Sequence, residues 1–392
     1  MKSKIKSQTG LYYLGLFLTT ISSSLIGRTY LFLIPNLNPI IKYGAIICFL
    51  LSFTDRRWTK KGLYKSVLMI MTVLAVAVVT DSNILVIYIL AIVLSRPRDF
   101  NKICKFLFWT NLCIFFVVLG MCGIGVLKDE ITIHYGRSAH SLGFTYYSSP
   151  AYTVFFLTVL AYYLYSGKPH TKRRFIFILC GTIANICIYK ITTVRLTFYI
   201  FFIFIGLIVL YEYIGLIRKR KFNVFLATFM YPVMFLLSII LPFVYTRSSF
   251  LVKLDEMMNG RFFFSMMGFT RYNVNMFGNQ IITDAGGLDE NWHNTYFYID
   301  SGYVVALLGY GIIVCLALLL AYIMISRFAA IEQNNKLFVW CALVCVFAFP
   351  NNPLADIILN PLLFMTVPMI DRIRKDRKFS RIFGIKRMKF LY

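Results

Sequence analysis

YTRSSFLVKLDEMMNGRFFFSMMGFTRYNVNMFGNQIITDAGGLDENWHNTYFYIDSGYVVALLGYG, residues 245–311, is the only long polar interval in a sequence otherwise built from apolar runs. A connection this long without recognisable secondary structure is usually functional or disordered. Aromatic residues and glycines are interleaved with its charges, which favours a functional segment. The sequence therefore predicts one large loop, residues 245–302, between two apolar helices.

The composition excludes a soluble fold. Hydrophobic residues make up 59% of the 392 and charged residues only 15%, so the apolar surface is too large to be buried within the chain. The formal net charge of +25 could indicate a nucleic-acid partner. However, Lys and Arg stand in short clusters between apolar runs of membrane-spanning length, which is the pattern of the positive-inside rule. We therefore expect a membrane protein and no nucleic-acid partner.

Transmembrane helices are predicted wherever an apolar run approaches the about 20 residues needed to cross a bilayer. Twelve runs qualify, near residues 11–34, 36–53, 64–80, 83–95, 103–127, 146–166, 174–192, 196–217, 221–244, 302–325, 336–350 and 354–371. The predicted fold class is an all-α polytopic membrane protein, with residues 1–392 forming a single integral membrane domain.

The basic clusters predict the orientation of these helices. If the N-terminus is cytoplasmic, the clusters DRRWTKK (55–61), RPRDFNKICK (96–105) and RKRK (218–221) all lie inside, and the alternation does not break. An even number of helices puts both termini in the cytoplasm and the 245–302 loop outside. The tail, residues 371–392, mixes bases with apolar residues and fits a basic amphipathic segment on the anionic inner leaflet.

Three arginines on the outward side are poor candidates for membrane anchors, although anchoring is the commoner role of a single Arg at a membrane boundary. Arg137 stands in HYGRSAHSLGF, Arg195 lies about one turn into apolar sequence, and Arg261 precedes three aromatics. Charges near hydrocarbon are costly unless paired or bound to a ligand. Guanidinium suits phosphate oxygens. We predict catalytic roles for Arg195 and Arg261, and substrate binding by Arg137 and Arg271.

No acidic cluster of the kind that holds a divalent metal is evident, because the carboxylates of DAGGLDE (284–290) are widely spaced. The nine cysteines lie almost entirely within apolar runs and show no zinc-ligand spacing. We therefore expect neither a metal nor a cofactor. Arginines would then do what a magnesium ion does in other phosphate chemistry.

His293 has two interpretations. It can be a polar residue at the start of a helix, satisfied by its neighbours, or a general base that accepts a hydroxyl proton. The second interpretation makes it the predicted catalytic base, with Asp289 and Glu290 as fallback bases. The predicted substrate-binding set is completed by Asn294, Tyr296, Asp289 and Glu290.

Four segments resemble a known family. They are RSAHSLGFTYYSSPA (137–151), TTVRLTFY (192–199), NGRFFF (259–264) and WHNTYFYIDSGYVVALLGYGII (292–313). Similar segments occur in the same order in the Wzy-type polymerases of O-antigen and capsular polysaccharide, within the O-antigen ligase-like superfamily.

This resemblance implies a GT-C-like membrane glycosyltransferase at the outer face of the bacterial cytoplasmic membrane. Its substrates would be two undecaprenyl-pyrophosphate-linked oligosaccharides, and the growing glycan would move from its carrier onto a fresh lipid-linked repeat unit. Membrane lipid, a flippase and a chain-length regulator protein would be its partners. Two alternatives stay open. An O-antigen-type ligase uses another acceptor and more typically has a His at position 293, and a flippase-type transporter would also have about twelve helices.

Overall fold

The computed structural model describes residues 2–53, 60–96, 98–134, 136–168, 171–282 and 297–375. Its α-helices are α1 (Lys2–Thr20), α2 (Leu37–Phe53), α3 (Lys60–Thr80), α4 (Ile84–Leu94), α5 (Phe100–Gly123), α6 (Ser148–Tyr165), α7 (Lys172–Thr192), α8 (Arg195–Ile208), α9 (Arg220–Val244), α10 (Ser249–Met257), α11 (Arg261–Arg271), α12 (Gly302–Val304), α13 (Gly311–Ile331), α14 (Asn335–Phe347) and α15 (Thr366–Lys375). π-Helical turns follow α1, α8 and α12 at Ile21–Ile26, Val209–Tyr213 and Val305–Gly309. Short 3₁₀ turns lie at Tyr30–Leu33, Leu216–Arg218, Tyr245–Arg247 and Pro361–Met365.

The apolar runs form the long helices. Within the described ranges, six helical stretches are long and apolar enough to cross a membrane: Thr9–Ile26, Phe100–Gly123, Lys172–Thr192, Arg195–Tyr213, Arg220–Arg247 and Gly311–Ile331. Shorter apolar helices accompany them at Leu37–Ser52, Val67–Thr80, Ile84–Leu94 and Asn335–Phe347. The prediction of an all-α fold with helices of membrane-spanning character is confirmed, and the number of twelve spans stays a prediction.

One end of the bundle, which we call the Arg28 end, gathers segments from across the chain. The backbone N–H of Thr145 donates to the carbonyl of Arg28 at 2.9 Å. The Arg28 side chain forms an ion pair with Asp356 at 2.8 Å. The N–H of Gly302 donates to the carbonyl of Asn351 at 2.8 Å. The starts of α6 and α12 therefore meet the segments that follow α1 and α14.

The opposite end, which we call the Arg174 end, is joined by ion pairs. Arg174 of α7 pairs with Glu212 in the π turn after α8 at 2.9 Å. Arg96, just after α4, pairs with Asp371 of α15 at 2.5 Å. The chain therefore runs from the Arg28 end to the Arg174 end between residues 356 and 371.

That last crossing is not the single helix predicted over 354–371. Residues 351–360 are irregular, a 3₁₀ turn follows at Pro361–Met365, and only then does α15 begin. Pro353 and Pro361 cannot donate a backbone hydrogen bond, which explains why a helix does not form across the segment. The apolar residues of this segment are nevertheless buried in the core.

Side chains form hydrogen bonds with backbone carbonyl and N–H groups of the irregular crossing. Asn111 of α5 donates to the carbonyl of Ile358 at 3.1 Å, and the Tyr322 hydroxyl of α13 donates to the carbonyl of Leu354 at 2.9 Å. The Asp356 carboxylate accepts the N–H groups of Ile358 and Leu359 at 3.0 and 3.1 Å. Buried backbone groups need such partners wherever a helix does not supply them.

The predicted loop 245–302 contains helices, so the expectation of a long stretch without secondary structure is wrong for residues 249–271. The Asp255 carboxylate of α10 accepts the N–H of Phe262 at 2.7 Å, which fixes α11 to α10. α11 packs on α9, and a Cβ added at Gly268 would lie 2.6 Å from the Ile299 side chain. Tertiary packing of one apolar face stabilises a helix this short.

A β-hairpin that the sequence reasoning missed precedes α6. Strands β1 (Ile131–His134) and β2 (Arg137–His140) are antiparallel, with Ile131 opposite His140 and His134 opposite Arg137. Beyond β2, Phe144 forms a β-bridge with Thr29, so the hairpin is fixed to the Arg28 end.

Candidate functional site

Five of the predicted site residues lie outside the described residues. They are Asp289, Glu290, His293, Asn294 and Tyr296, all within 283–296. Their roles therefore stay predictions. The structure does place the four predicted arginines, and all four lie at the Arg28 end.

Arg261 and Arg271 occupy the two ends of α11 and both contact the segment that leads into α12. Arg261 forms an ion pair with Asp300. The Arg271 guanidinium lies 4.4 Å from the centre of the Phe297 ring, in a cation–π contact. The two residues are ten positions apart, which corresponds to about 15 Å along a helix. Their guanidinium groups make different contacts in the structure, which suits Arg271 to a different part of a substrate.

Arg137 and Arg195 are exposed, and Arg195 lies next to a second, smaller apolar cluster. Arg137 is on β2, which contacts α7, and Arg195 is the first residue of α8. Phe144 belongs to the cluster, and Val194, which precedes Arg195, packs against it. The structure thus packs the strand of Arg137 against α7, whose C-terminal end precedes Arg195, and places Arg261 and Arg271 on one helix. A common phosphate site for Arg137, Arg195 and Arg261 stays a prediction.

The hairpin also holds a histidine–carboxylate pair that the sequence reasoning did not assign. His140 Nδ1 lies 2.7 Å from Asp129 Oδ2, and Asp129 Oδ1 accepts the N–H of Leu142 at 2.8 Å. Partial burial raises the pKa of Asp129, but the hydrogen bonds from His140 and Leu142 outweigh it and hold that pKa below its ordinary value. An ionised carboxylate at Nδ1 fixes the proton there, which leaves Nε2 to accept a proton.

The His140 ring remains accessible, since 34% of its side chain is exposed. A sequence signal for the pair did exist. Asp129 lies two residues before β1 and His140 ends β2, so pairing of the two strands brings them together. Recognising that signal requires predicting the hairpin first, and two four-residue strands give only a weak alternation of apolar and polar residues.

A polar cavity of about 270 Å³ lies at the Arg28 end, among the π turn after α1, the start of α2, the start of α4 and the 352–356 segment. Its lining includes the Arg28–Asp356 ion pair and Tyr310. Further polar lining comes from Ser22, Ser23, Asn38, Lys42, Tyr88 and Asn352. This size is just below the about 300–1,000 Å³ typical of ligand pockets.

Two glycines position Tyr310 at this cavity. Gly278 and Gly311 have φ values of +86° and +84°, and their backbones touch: a Cβ on Gly311 would lie 2.3 Å from the Gly278 nitrogen. Around them, Ile312 donates its N–H to the carbonyl of Asn275 at 3.0 Å. We call this contact the glycine latch. It joins residues 275–279 to the start of α13 and separates α13 from the π turn after α12.

No group of three or more His, Cys, Asp and Glu side chains is placed to hold a metal ion in the part of the chain that the structure describes. No family model matches this chain, and neither a curated protein nor a solved structure matches it.

Proposed function

We propose that this chain is a membrane glycosyltransferase that polymerises lipid-linked glycan repeat units at the outer face of the bacterial cytoplasmic membrane. It would transfer the growing glycan from undecaprenyl pyrophosphate onto a lipid-linked repeat unit. The observation that carries the proposal is the gathering of arginines and a carboxylate-held histidine at one end of an apolar helix bundle.

The chemistry needs two kinds of group, and this end of the bundle holds a candidate for each. The acceptor hydroxyl oxygen attacks the anomeric carbon, the bond to the pyrophosphate oxygen breaks, and the hydroxyl proton goes to a base. Arg137, Arg195 and Arg261 would stabilise the negative charge that develops on the leaving pyrophosphate. Membrane helices would admit the lipid carriers from the side. Both termini would lie in the cytoplasm.

Two histidines are candidates for the base. His293 is the candidate from the sequence and lies outside the described residues. His140 is the candidate from the described geometry, because Asp129 orients its ring and leaves Nε2 as the proton acceptor. A carboxylate that orients an imidazole is a recurrent feature of catalytic bases.

The arginine roles can be tested by polymerisation of purified lipid-linked repeat units in vitro. A hydrogen bond to a charged group contributes about 1.5–3 kcal/mol, so Arg137→Ala, Arg195→Ala and Arg261→Ala should each lower the rate at least about ten-fold. Arg261→Lys should recover part of the rate, because it keeps the pair with Asp300 but loses the planar fork. Arg247→Ala, an exposed arginine at the same end, is the matched control. Wild-type rates in all three Ala variants at normal expression would reject the proposal.

The base is identified by the same assay. Removal of a general base typically costs about 10²–10⁴-fold in rate. If His293 is the base, His293→Ala shows that loss and His140→Ala does not. If His140 is the base, His140→Ala shows it and Asp129→Asn lowers the rate as well. If neither substitution lowers the rate, neither histidine is the base and Asp289 and Glu290 become the next candidates.

A transporter is the second candidate function, and the irregular crossing at 351–360 favours it. Interrupted helices that line a polar cavity are typical of secondary transporters, and Asn352 and Asp356 of this crossing line the cavity. Proteoliposomes that contain the purified chain separate the two functions. Movement of a lipid-linked repeat unit across the bilayer without lengthening of the glycan would indicate transport. Transfer to an acceptor other than a lipid-linked repeat unit would indicate a ligase.

A further inference from the structure

The cavity at the Arg28 end has a chemistry of its own, separate from the arginines of α11 and the hairpin. Its charged lining consists of Arg28, Lys42 and Asp356. Asp356 is fully engaged, since Oδ2 pairs with Arg28 at 2.8 Å and Oδ1 accepts the N–H groups of Ile358 and Leu359. No ion pair involves Lys42 among the described residues. Two positive charges against one negative charge leave the cavity with a net charge of +1.

Two polar atoms in the lining are buried and make no hydrogen bond to any described residue. One is Arg28 Nη1, a donor, and the other is Asn352 Oδ1, an acceptor. Buried polar atoms are hydrogen-bonded in the great majority of native structures. A ligand that satisfies both must offer an acceptor oxygen to Arg28 and an O–H or N–H donor to Asn352.

The remaining lining favours hydroxyl groups on that ligand. Ser22 donates to Asn38 at 2.6 Å, and the hydroxyls of Ser23 and Tyr88 lie 3.3 Å apart. Serine and tyrosine hydroxyls can each donate and accept, so they can exchange these contacts for hydrogen bonds to a hydroxylated ligand. A cavity of about 270 Å³ is large enough for one small ring or headgroup and too small for an oligosaccharide.

We infer that this cavity binds a hydroxylated group carrying a single negative charge, held by Arg28 Nη1 and Lys42 through its anionic oxygen and by Asn352 through a hydroxyl. Two sources offer this chemistry. One is an acidic sugar with a carboxylate, and the other is the glycerol phosphodiester headgroup of an anionic lipid. The inference does not rest on the proposed transferase activity, because binding at this cavity requires no glycosyl transfer.

The test measures binding to the purified full chain in phosphatidylcholine nanodiscs. Equilibrium dialysis with labelled glucuronate and with labelled glucose examines the sugar source, because the two differ only at C6, a carboxylate in glucuronate and a hydroxymethyl group in glucose. Thermal unfolding in nanodiscs with and without phosphatidylglycerol examines the lipid source. We expect either saturable glucuronate binding, with glucose at least about ten-fold weaker, or a higher unfolding temperature in phosphatidylglycerol. The about ten-fold difference in affinity corresponds to the loss of one hydrogen bond to a charged group.

Lys42→Gln and Lys42→Arg show whether the effect belongs to this cavity. Lys42→Gln should weaken glucuronate binding about ten-fold or more, or remove most of the rise in unfolding temperature with phosphatidylglycerol. Lys42→Arg should retain most of the glucuronate affinity or of that temperature rise. Lys128→Gln, which removes an exposed lysine on the loop before the hairpin, is the control for general charge effects and should change nothing. If Lys42→Gln does not fold, a loss of binding in Asn352→Ala gives the same support. The inference is overturned if the wild type binds neither probe, or if folded Lys42→Gln, or Asn352→Ala in its place, binds as the wild type does.

Discussion

Arg174 and Glu212 form the most completely buried ion pair among the described residues, with 0% and 1% of their side chains exposed. Arg174 also donates to the carbonyl of Gly167 at 3.0 Å, and its guanidinium lies 4.9 Å from the centre of the Tyr162 ring. The Tyr162 hydroxyl donates to Glu212 at 2.8 Å. The group therefore ties together α6, α7 and the π turn after α8 at the Arg174 end.

Breaking this pair should destabilise the fold strongly. Arg174→Met leaves the Glu212 carboxylate buried without its counter-charge, which typically costs about 3–5 kcal/mol. The double variant Arg174→Met with Glu212→Leu should recover a large part of that loss, since an apolar pair of similar volume often replaces a buried ion pair at little cost. Thermal unfolding of the purified variants in detergent measures both effects. The neighbouring Arg173→Met, an exposed position, is the control, and an equal loss there would contradict the burial argument.

The Asp129–His140 pair predicts a pH dependence of stability. The folded-state pKa of Asp129 is lower than its ordinary value of 3.8, so the ionised carboxylate contributes stability at pH values above that ordinary value. This contribution is lost as the pH falls through the folded-state pKa. Asp129→Asn should therefore lower the unfolding temperature at neutral pH, and the difference from wild type should shrink below about pH 4. A difference that stays constant between pH 7 and pH 3 would show that the carboxylate charge plays no part.

At the scale of elements, the glycine latch is the place where an added Cβ would come closest to another atom among the described glycines. Gly311 and Gly278 both have left-handed backbone conformations, and a Cβ at Gly278 would lie 2.1 Å from the carbonyl oxygen of Gly309. Ala at either position should cost more than about 1 kcal/mol and release residues 272–282 from α13. Gly206→Ala is the control, because this glycine lies within α8 and a Cβ there has open space.

Limited proteolysis together with thermal unfolding measures this effect. The latch variants should be cleaved within 272–282 faster than the wild type, because backbone hydrogen bonds such as that from Ile312 to Asn275 are lost. Gly206→Ala should be cleaved like the wild type and be neutral or slightly more stable. Wild-type cleavage of Gly278→Ala and Gly311→Ala would mean that the segment can shift without losing the contact.

The elements that the sequence predicted well are those determined by their own residues. Long apolar runs form helices such as α5, α9 and α13 because a helix satisfies its backbone groups within the segment itself. The 351–365 crossing is equally apolar, but its conformation depends on two prolines and on Asn111 and Tyr322, which are distant in the sequence. α10, α11 and the hairpin are short and depend on packing against other elements. The sequence patterns of these short elements are therefore too weak to predict them without the rest of the fold.

The same distinction applies to the candidate site. Arg137, Arg195, Arg261 and Arg271 were recognisable because a charge next to apolar sequence is unusual. The cavity was not recognisable, because Arg28 and Asp356 are 328 positions apart and nothing near either residue indicates the other. Asn352 and Tyr310 join them only through the fold. Polar residues brought together by distant elements are visible in the structure alone.

For the whole molecule, the two ends of the bundle predict which residues share a side of the membrane. Gly167 accepts a hydrogen bond from Arg174 and so marks the Arg174 end, whereas Lys128 marks the Arg28 end next to the hairpin. Single cysteines at Gly167 and at Arg220 should react only from the cytoplasmic side, and one at Lys128 only from outside. The measurement is labelling with an impermeant thiol reagent in intact cells, after the exposed native Cys113, Cys180 and Cys187 are replaced. Outside labelling at Gly167 or Arg220, or cytoplasmic labelling at Lys128, would discard the orientation.

The irregular crossing at 351–360 has a consequence for how the protein is made. The chain is synthesised and inserted into the bilayer from its N-terminus. Each new segment therefore contacts either lipid or the helices of the chain that are already inserted. In lipid, every backbone group of this crossing without a partner would cost several kcal/mol. Its partners Asn111 and Tyr322 belong to helices that are synthesised earlier. The order of translation therefore matches the order of assembly: this crossing enters a cleft that α5 and α13 have already built, because both helices are synthesised before it.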